Sequence, residues 1–248
     1  MKFFLEKVPI LKKPTYAFLT ILYSFGLIAL VVLFFYFIKR IAWWAPIMSQ
    51  TIMCIIVCLI GILHFRFAPI YRRKYQNLAY QKFLYVFVLP YIIAWYGCFY
   101  HPAFIKGTKL LPIWAQIILI LFCLFLVISA SIQIEKAGFS LMTHGMDIFT
   151  VFPEESGILR GKIYSFIRHP LYFVLFIGGF AMGFISNTWI ALVVASLQII
   201  PCVIIGYCED KELIVRSGGD HKEYIKQTAL LIPIRRLPGF LKLLFFWK

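Results

Sequence analysis

Charged residues leave long gaps in this chain. Uncharged stretches of 25, 25, 23 and 25 residues run between Lys13 and Lys39, Arg40 and Arg66, Lys82 and Lys106, and Lys109 and Glu135. A helix rises about 1.5 Å per residue and the hydrocarbon layer of a bilayer is about 30 Å thick, so about 20 apolar residues suffice to cross it. Each stretch therefore predicts one transmembrane helix. From His169 to Cys208 a further 40 residues carry no charge, and Ser186-Asn187-Thr188 near their middle is a polar turn signal. That stretch predicts a hairpin of two helices. The expected fold class is an all-α integral membrane protein with about six transmembrane helices.

Composition agrees. Of 248 residues 62% are hydrophobic, 19% aromatic and 14% charged, against about 45–50% apolar and about 25% charged in soluble domains. Twenty-six Phe, 14 Tyr and 6 Trp present more apolar surface than a chain of this length buries in its own core, so lipid is an expected partner. An ordinary soluble enzyme, a disordered chain and a disulfide scaffold are excluded. The net charge of +15 changes the picture only through its placement. With six crossings, 21 of the 25 Lys and Arg residues fall on one side of the membrane, and the positive-inside rule makes that side, with both termini, cytoplasmic. No basic stretch is interleaved with solvent-facing aromatics, so nucleic acid is not an expected partner. The first apolar stretch is too long for a signal peptide and lacks a small-residue cleavage site. No repeat, low-complexity segment or long linker interrupts the chain, which reads as one domain, 1–248.

Few residues are placed for chemistry. The six cysteines lie within or at the edge of the predicted spans and form no CxxC pair, so they read as buried small hydrophobes and no metal site is expected. His64, His101 and His144 read as interfacial polar residues, and Glu154 and Glu155 as solvated. Arg168-His169-Pro170-Leu171-Tyr172 opens the fifth span. It combines a cytoplasmic anchor, a Pro in the first helical turn and a belt aromatic, and its Arg, His and helix start also suit an anionic group. Glu209-Asp210-Lys211-Glu212 closes the sixth span. The helix is expected to run on to Ser217, with Glu212 and Arg216 as an i,i+4 pair, Gly218-Gly219 as a stop, and Asp220 with Glu223 as a capping box for a short final helix. Glu209 and Asp210 are left without a structural role at a depth where an unpaired carboxylate is costly. The hairpin brings them against Arg168 and His169. A structural ion pair and a ligand site are both open readings of that meeting.

The two blocks together, Tyr164-x3-Arg168-His169-Pro170-x-Tyr172 and Glu209-Asp210-x2-Leu213-x4-Gly218-x5-Tyr224-x8-Pro233, resemble the signature of the integral-membrane methyltransferases. That family includes isoprenylcysteine carboxyl methyltransferase, the phospholipid methyltransferases and methanethiol S-methyltransferase. The resemblance covers residues of about 150–235; the earlier spans are similar in layout only. It implies S-adenosylmethionine as methyl donor, held in a cytoplasm-facing pocket formed by the C-terminal hairpin and short cytoplasmic helices, with a lipophilic or small thiol, amine or carboxylate acceptor. Carried over by position, Ile158, Leu159, Tyr164, His169, Pro170, Leu171, Tyr172 and Glu209 would contact the cofactor, with Asp210 beside them. Glu209 and Asp210 suit the donor's ammonium, Arg168 and His169 its carboxylate, and Tyr164 and Tyr172 its sulfonium. Arg168 and Glu209 are the residues expected to matter most for catalysis, and Glu209 or His169 could take a proton from a thiol or amine.

Asp210, Val174, Ser217 and His221 depart from the family pattern. So does Ile205, which stands where the carboxyl methyltransferases have the Arg that pairs with the substrate carboxylate. That departure favours a neutral acceptor over prenylcysteine. Membrane sterol and steroid reductases, which use a nicotinamide cofactor, share an RHPxY-like block and are the main alternative; a non-catalytic protein that keeps the fold is another.

Overall fold

The computed structural model describes residues 2–155 and 159–246. The described residues are helical, with no strand among them. A short helix α1 (Lys2–Lys7) precedes α2 (Pro14–Ile38), α3 (Ala45–Tyr75), α4 (Ala79–Phe83), α5 (Leu89–Tyr100) and α6 (Ile113–Lys136). A single turn α7 (Ile148–Val151) leads to α8 (Pro170–Ser186), α9 (Trp189–Ser196), α10 (Ile199–Ser217), α11 (Gly219–Gln227) and α12 (Leu237–Phe246). Four helical stretches are long and apolar enough to cross a membrane: Pro14–Ile38, Ala45–Phe104, Ile113–Lys136 and Trp189–Ser217. Pro170–Ser186 is apolar but shorter.

Charge placement accounts for several boundaries. Helix α2 fills the gap between Lys13 and Lys39, starts on Pro14, and buries only Phe35. Its other faces expose Phe18, Leu22, Phe25 and Leu30. The 60-residue stretch Ala45–Phe104 reverses at Gln76, which takes a left-handed φ of 46° and sends α4 and α5 back along α3. Pro90 lacks an amide hydrogen and crowds the carbonyl four residues earlier, and the turn before it, Leu84–Val88, widens into a π-helical turn. The break between α9 and α10 has the same cause. Pro201 cannot bond to the Leu197 carbonyl, which instead accepts the Ile200 amide at 3.1 Å and the Cys54 thiol at 3.6 Å.

Helix α3 is central, packed by α5 on one side and α10 on the other, with α2 outside α5. Helix α8 lies between α6 and α9. The turn expected at residues 186–188 is present: Asn187 is left-handed at φ 56° and Thr188 caps α9 by accepting from the Ala191 amide at 3.2 Å. Three larger apolar clusters fill the bundle, beside a small fourth of Ile105, Ala191 and Val194. One joins α1, α4 and α7 around Tyr80 and Phe83; the second joins α3, α5 and α10 around Val57 and Ile205; the third joins α6, α8 and α12 around Phe173 and Phe240. They leave a recess between them, where α8 begins and α10 ends.

Several expectations are corrected here. His64 and His101 are buried and not interfacial: His101 Nδ1 is 3.0 Å from the Gln50 side chain and its ring stacks on Phe35 at 3.9 Å. Asp220 and Glu223 form no capping box; Gly218 is the N-cap of α11, with no side-chain cap, and Glu223 pairs with Lys226 at 3.0 Å. Glu154 and Glu155 are exposed, as expected, and also pair with Arg72 at 2.6 Å and Lys7 at 2.5 Å, which fastens the segment after α7 to α3 and α1. The pair Glu212–Arg216 is present at 3.6 Å, and α10 does end at Ser217 with Gly218 left-handed at φ 63°. The cysteines carry no disulfide, and all but Cys208 are buried.

Candidate functional site

The chain before α8 and the chain after α11 meet edge to edge. The Ala229 amide donates to the Phe166 carbonyl at 3.0 Å, and the Arg168 and His169 amides donate to the Ala229 and Leu230 carbonyls at 2.9 and 3.2 Å. These bonds fix the approach to Pro170, where α8 starts. The two charge blocks thereby come together. Arg168 Nε donates to Asp210 Oδ2 at 3.0 Å, and its Nη1 donates to the carbonyls of Ile225, at 3.1 Å, and Thr228. His169 Nδ1 lies 3.1 Å from Glu209 Oε2 and its Nε2 lies 3.0 Å from Asp210 Oδ1. His221 Nε2 is also on Asp210 Oδ1, at 3.1 Å. The Tyr172 hydroxyl donates to Glu209 Oε2 at 3.0 Å.

The two acids therefore differ. Asp210, 6% exposed at its side chain, is surrounded by Arg168, His169 and His221 and ties α8, α10 and α11 together. Glu209, 38% exposed, faces the recess with one oxygen held by His169 and Tyr172. Asp210 has the structural role that its position in the sequence did not reveal.

The recess is open on one side and holds about 140 Å³ of cavity volume. Leu159, Tyr164, Arg168, His169, Pro170, Leu171, Tyr172 and Glu209 all line it. Ile158 lies outside the described residues, and Asp210 sits behind the wall. The Tyr172 ring stacks on Trp95 at 5.3 Å and on His169 at 5.5 Å. The Tyr224 hydroxyl donates to the Tyr164 carbonyl at 2.5 Å, which holds α11 over the recess. No family model, curated protein or solved structure matches the chain. The site is thus read from its geometry and its sequence pattern.

The sequence pattern left out part of the lining. Phe139, His144, Asp147, Phe149 and Thr150, from the segment after α6, form the far wall, and Arg216 reaches in from α10. Arg216 Nε is buried with no hydrogen-bond partner, while its Nη1 donates to the Pro153 carbonyl at 3.4 Å. The i,i+4 spacing with Glu212 did point to Arg216, but as a helix pair and not as a pocket cation. Nothing local in the sequence marks Asp147, because its neighbours His64 and Glu209 are distant in the chain.

Burial would lower the His169 pKa, but the Glu209 charge and the hydrogen bonds to Asp210 and Glu209 outweigh it and raise it to about 9. The imidazole is then protonated at neutral pH and has no free lone pair, so His169 does not serve as a proton acceptor. Its raised pKa stabilises the fold fully below the ordinary value of 6.5, and that contribution is lost as pH rises through about 9. Asp147 acts in the same direction. Burial and the nearby Glu209 charge raise its carboxyl to about 8, so the fold loses stability as pH rises from 3.8 towards 8 and the group is forced to ionise. The melting temperature of the purified protein is expected to fall between pH 6.5 and pH 9, and less steeply in His169→Gln. A melting temperature that rises over this interval would contradict these assignments.

Proposed function

We propose that the protein is a membrane-embedded methyltransferase that transfers a methyl group from S-adenosylmethionine to a lipophilic or small acceptor. The observation that carries this reading is the convergence of residues 159–172 and 209–224 on one recess, with Glu209 turned into it. The lining suits a zwitterion that also carries a sulfonium. Glu209 is an acceptor for an ammonium, Arg216 offers a buried donor to a carboxylate, and Tyr164, Phe139 and Phe149 present rings to a cation. Arg168 is spent on Asp210 and the carbonyls after α11, so in this reading it is a positioning residue that closes the tail over the recess.

The donor supplies an activated methyl group; the chain's contribution is alignment and exclusion of water. His169 and Tyr172 orient Glu209, and α11 covers the recess through Tyr224.

In the same reading six segments cross the membrane: α2, α3, α4 with α5, α6, α8, and α9 with α10. Helix α8, at 17 residues, reaches about 26 Å at about 1.5 Å per residue, and the bonds of Asn187 to Leu111 and of Lys109 to Ser186 tie its far end to the connection before α6. The distribution of Lys and Arg supports cytoplasmic termini and a cytoplasm-facing recess.

The test is transfer of a radiolabelled methyl group from S-adenosylmethionine to thiols, amines, carboxylates and phospholipids by protein in lipid nanodiscs. Protein-dependent labelling of one acceptor class is expected. Folded protein that labels none of them would overturn the reading.

A further inference from the structure

Asp147 is set into the recess by unusual means. It has a left-handed backbone, φ 54°, which a non-glycine residue adopts only where surrounding structure enforces it. The enforcement is visible: the Asp147 amide donates to the His144 carbonyl at 3.1 Å, and the Tyr80 hydroxyl holds the Met146 carbonyl next door. A third of its side chain is open to the recess. Behind it stands His64 of α3, 2% exposed, with Nε2 3.8 Å from Asp147 Oδ2. Neither ring nitrogen of His64 has a hydrogen-bond partner. A buried polar side chain in that condition is destabilising unless a ligand or a protonation change completes it.

Most of the groups around it are committed: Glu209 is held by His169 and Tyr172, His169 is protonated, and Arg168 is bonded to Asp210, while Arg216 is a cation and accepts no proton. Asp147 faces His64 of α3, Tyr80 of α4, Tyr91 of α5, Tyr172 of α8 and Glu209 of α10, none of which neutralises it. Resting on the methyltransferase reading, we infer that Asp147, with His64 behind it, is the proton acceptor for the methyl acceptor. The substrate is therefore a neutral nucleophile that must lose a proton, a thiol or an amine, and not a carboxylate.

The balance is simple. The acceptor's lone pair forms the new bond to the methyl carbon, the bond from that carbon to the donor sulfur breaks with its electron pair left on sulfur, and the acceptor's proton passes to Asp147. A carboxylate acceptor has no proton to give. General-base catalysis is most effective when the pKa of the base lies near the working pH, and the raised Asp147 carboxyl meets that condition. A cationic donor in the same recess favours its ionised form.

The test uses the full-length protein in nanodiscs with Asp147→Asn and His64→Gln, both close in size to the residues replaced. Three probes share one tail: decanethiol, decylamine and decanoate. Wild-type protein is expected to methylate the thiol or the amine and not decanoate. Asp147→Asn should bind S-adenosylmethionine no more than about tenfold more weakly than wild type, the share that ionisation of Asp147 by the donor supplies, yet transfer at a rate lower by about 10²–10⁴. His64→Gln should lower the rate less. An independent reading comes from infrared difference spectra on adding S-adenosylmethionine, where a protonated carboxyl band should vanish in wild type and have no counterpart in Asp147→Asn. Wild-type rates in Asp147→Asn, or decanoate as the sole methylated probe, would overturn the inference while leaving the donor reading intact. Loss of donor affinity beyond about tenfold in Asp147→Asn would also overturn it, by making Asp147 a donor contact. Failure of wild-type protein to bind the donor would remove both.

Discussion

Replacing Asp210 with Ala is expected to destabilise the protein by about 3–5 kcal/mol, the usual consequence of leaving buried charges without their partner. Asp210 is the shared anion of Arg168, His169 and His221, and these three come from the start of α8 and from α11. Without it Arg168 has no counter-charge, His169 keeps only Glu209, and Arg168 loses the anchor that directs its other donors to the Ile225 and Thr228 carbonyls. For a chain of this size about 1 kcal/mol corresponds to about 2–4 °C, so thermal unfolding in detergent should move down by about 6–20 °C. Asp210→Asn keeps hydrogen-bonding atoms but not the charge, and should fall between. A shift of less than about 2 °C in Asp210→Ala would mean that this network does not hold the C-terminal segment in place.

Glu209→Gln should differ: a smaller loss of stability than Asp210→Ala, since the Glu209 charge supports protonated His169, and a large loss of donor affinity. The side chain is 38% exposed and faces the recess, and His169 keeps its bond to Asp210 when Glu209 loses its charge. What disappears is the acceptor for the donor's ammonium. Removing one partner of a buried, hydrogen-bonded charge pair costs about 2–5 kcal/mol, so S-adenosylmethionine should bind at least about thirtyfold more weakly. The pairing of these two results, one neighbour structural and the other ligand-directed, is what separates this account from a plain ion pair at a hairpin base.

Adjacent acids on one helix are not distinguishable by sequence. Both Glu209 and Asp210 stand out because negative charge near a membrane helix end gains nothing from topology, and the turn at Asn187 dictates that they meet Arg168 and His169. Which one points outward depends on the rotation of α10 against α3 and α8, a tertiary property. The boundaries of α2 are legible because Lys13 and Lys39 bracket its apolar run. The split of α9 from α10 follows from Pro201, whose effect becomes visible only once Cys54 is seen on the freed Leu197 carbonyl. The far wall of the recess was hidden for a different reason. Asp147 and His64 are made significant by the fold that brings them to 3.8 Å, and each is unremarkable in its own stretch of sequence. Glu154 and Glu155 were hidden likewise, since their partners Lys7 and Arg72 belong to α1 and α3.

The measurement that bears most directly on the central claim is calorimetric titration of purified wild-type protein and Glu209→Gln with S-adenosylmethionine. At about 0.3 kcal/mol per heavy atom, a ligand of about 27 heavy atoms reaches about 8 kcal/mol, or micromolar dissociation. The account predicts saturable binding near that affinity in the wild type and binding weaker by at least about thirtyfold in folded Glu209→Gln. Folded wild-type protein that binds no S-adenosylmethionine, and binds a reduced nicotinamide dinucleotide phosphate instead, would contradict it.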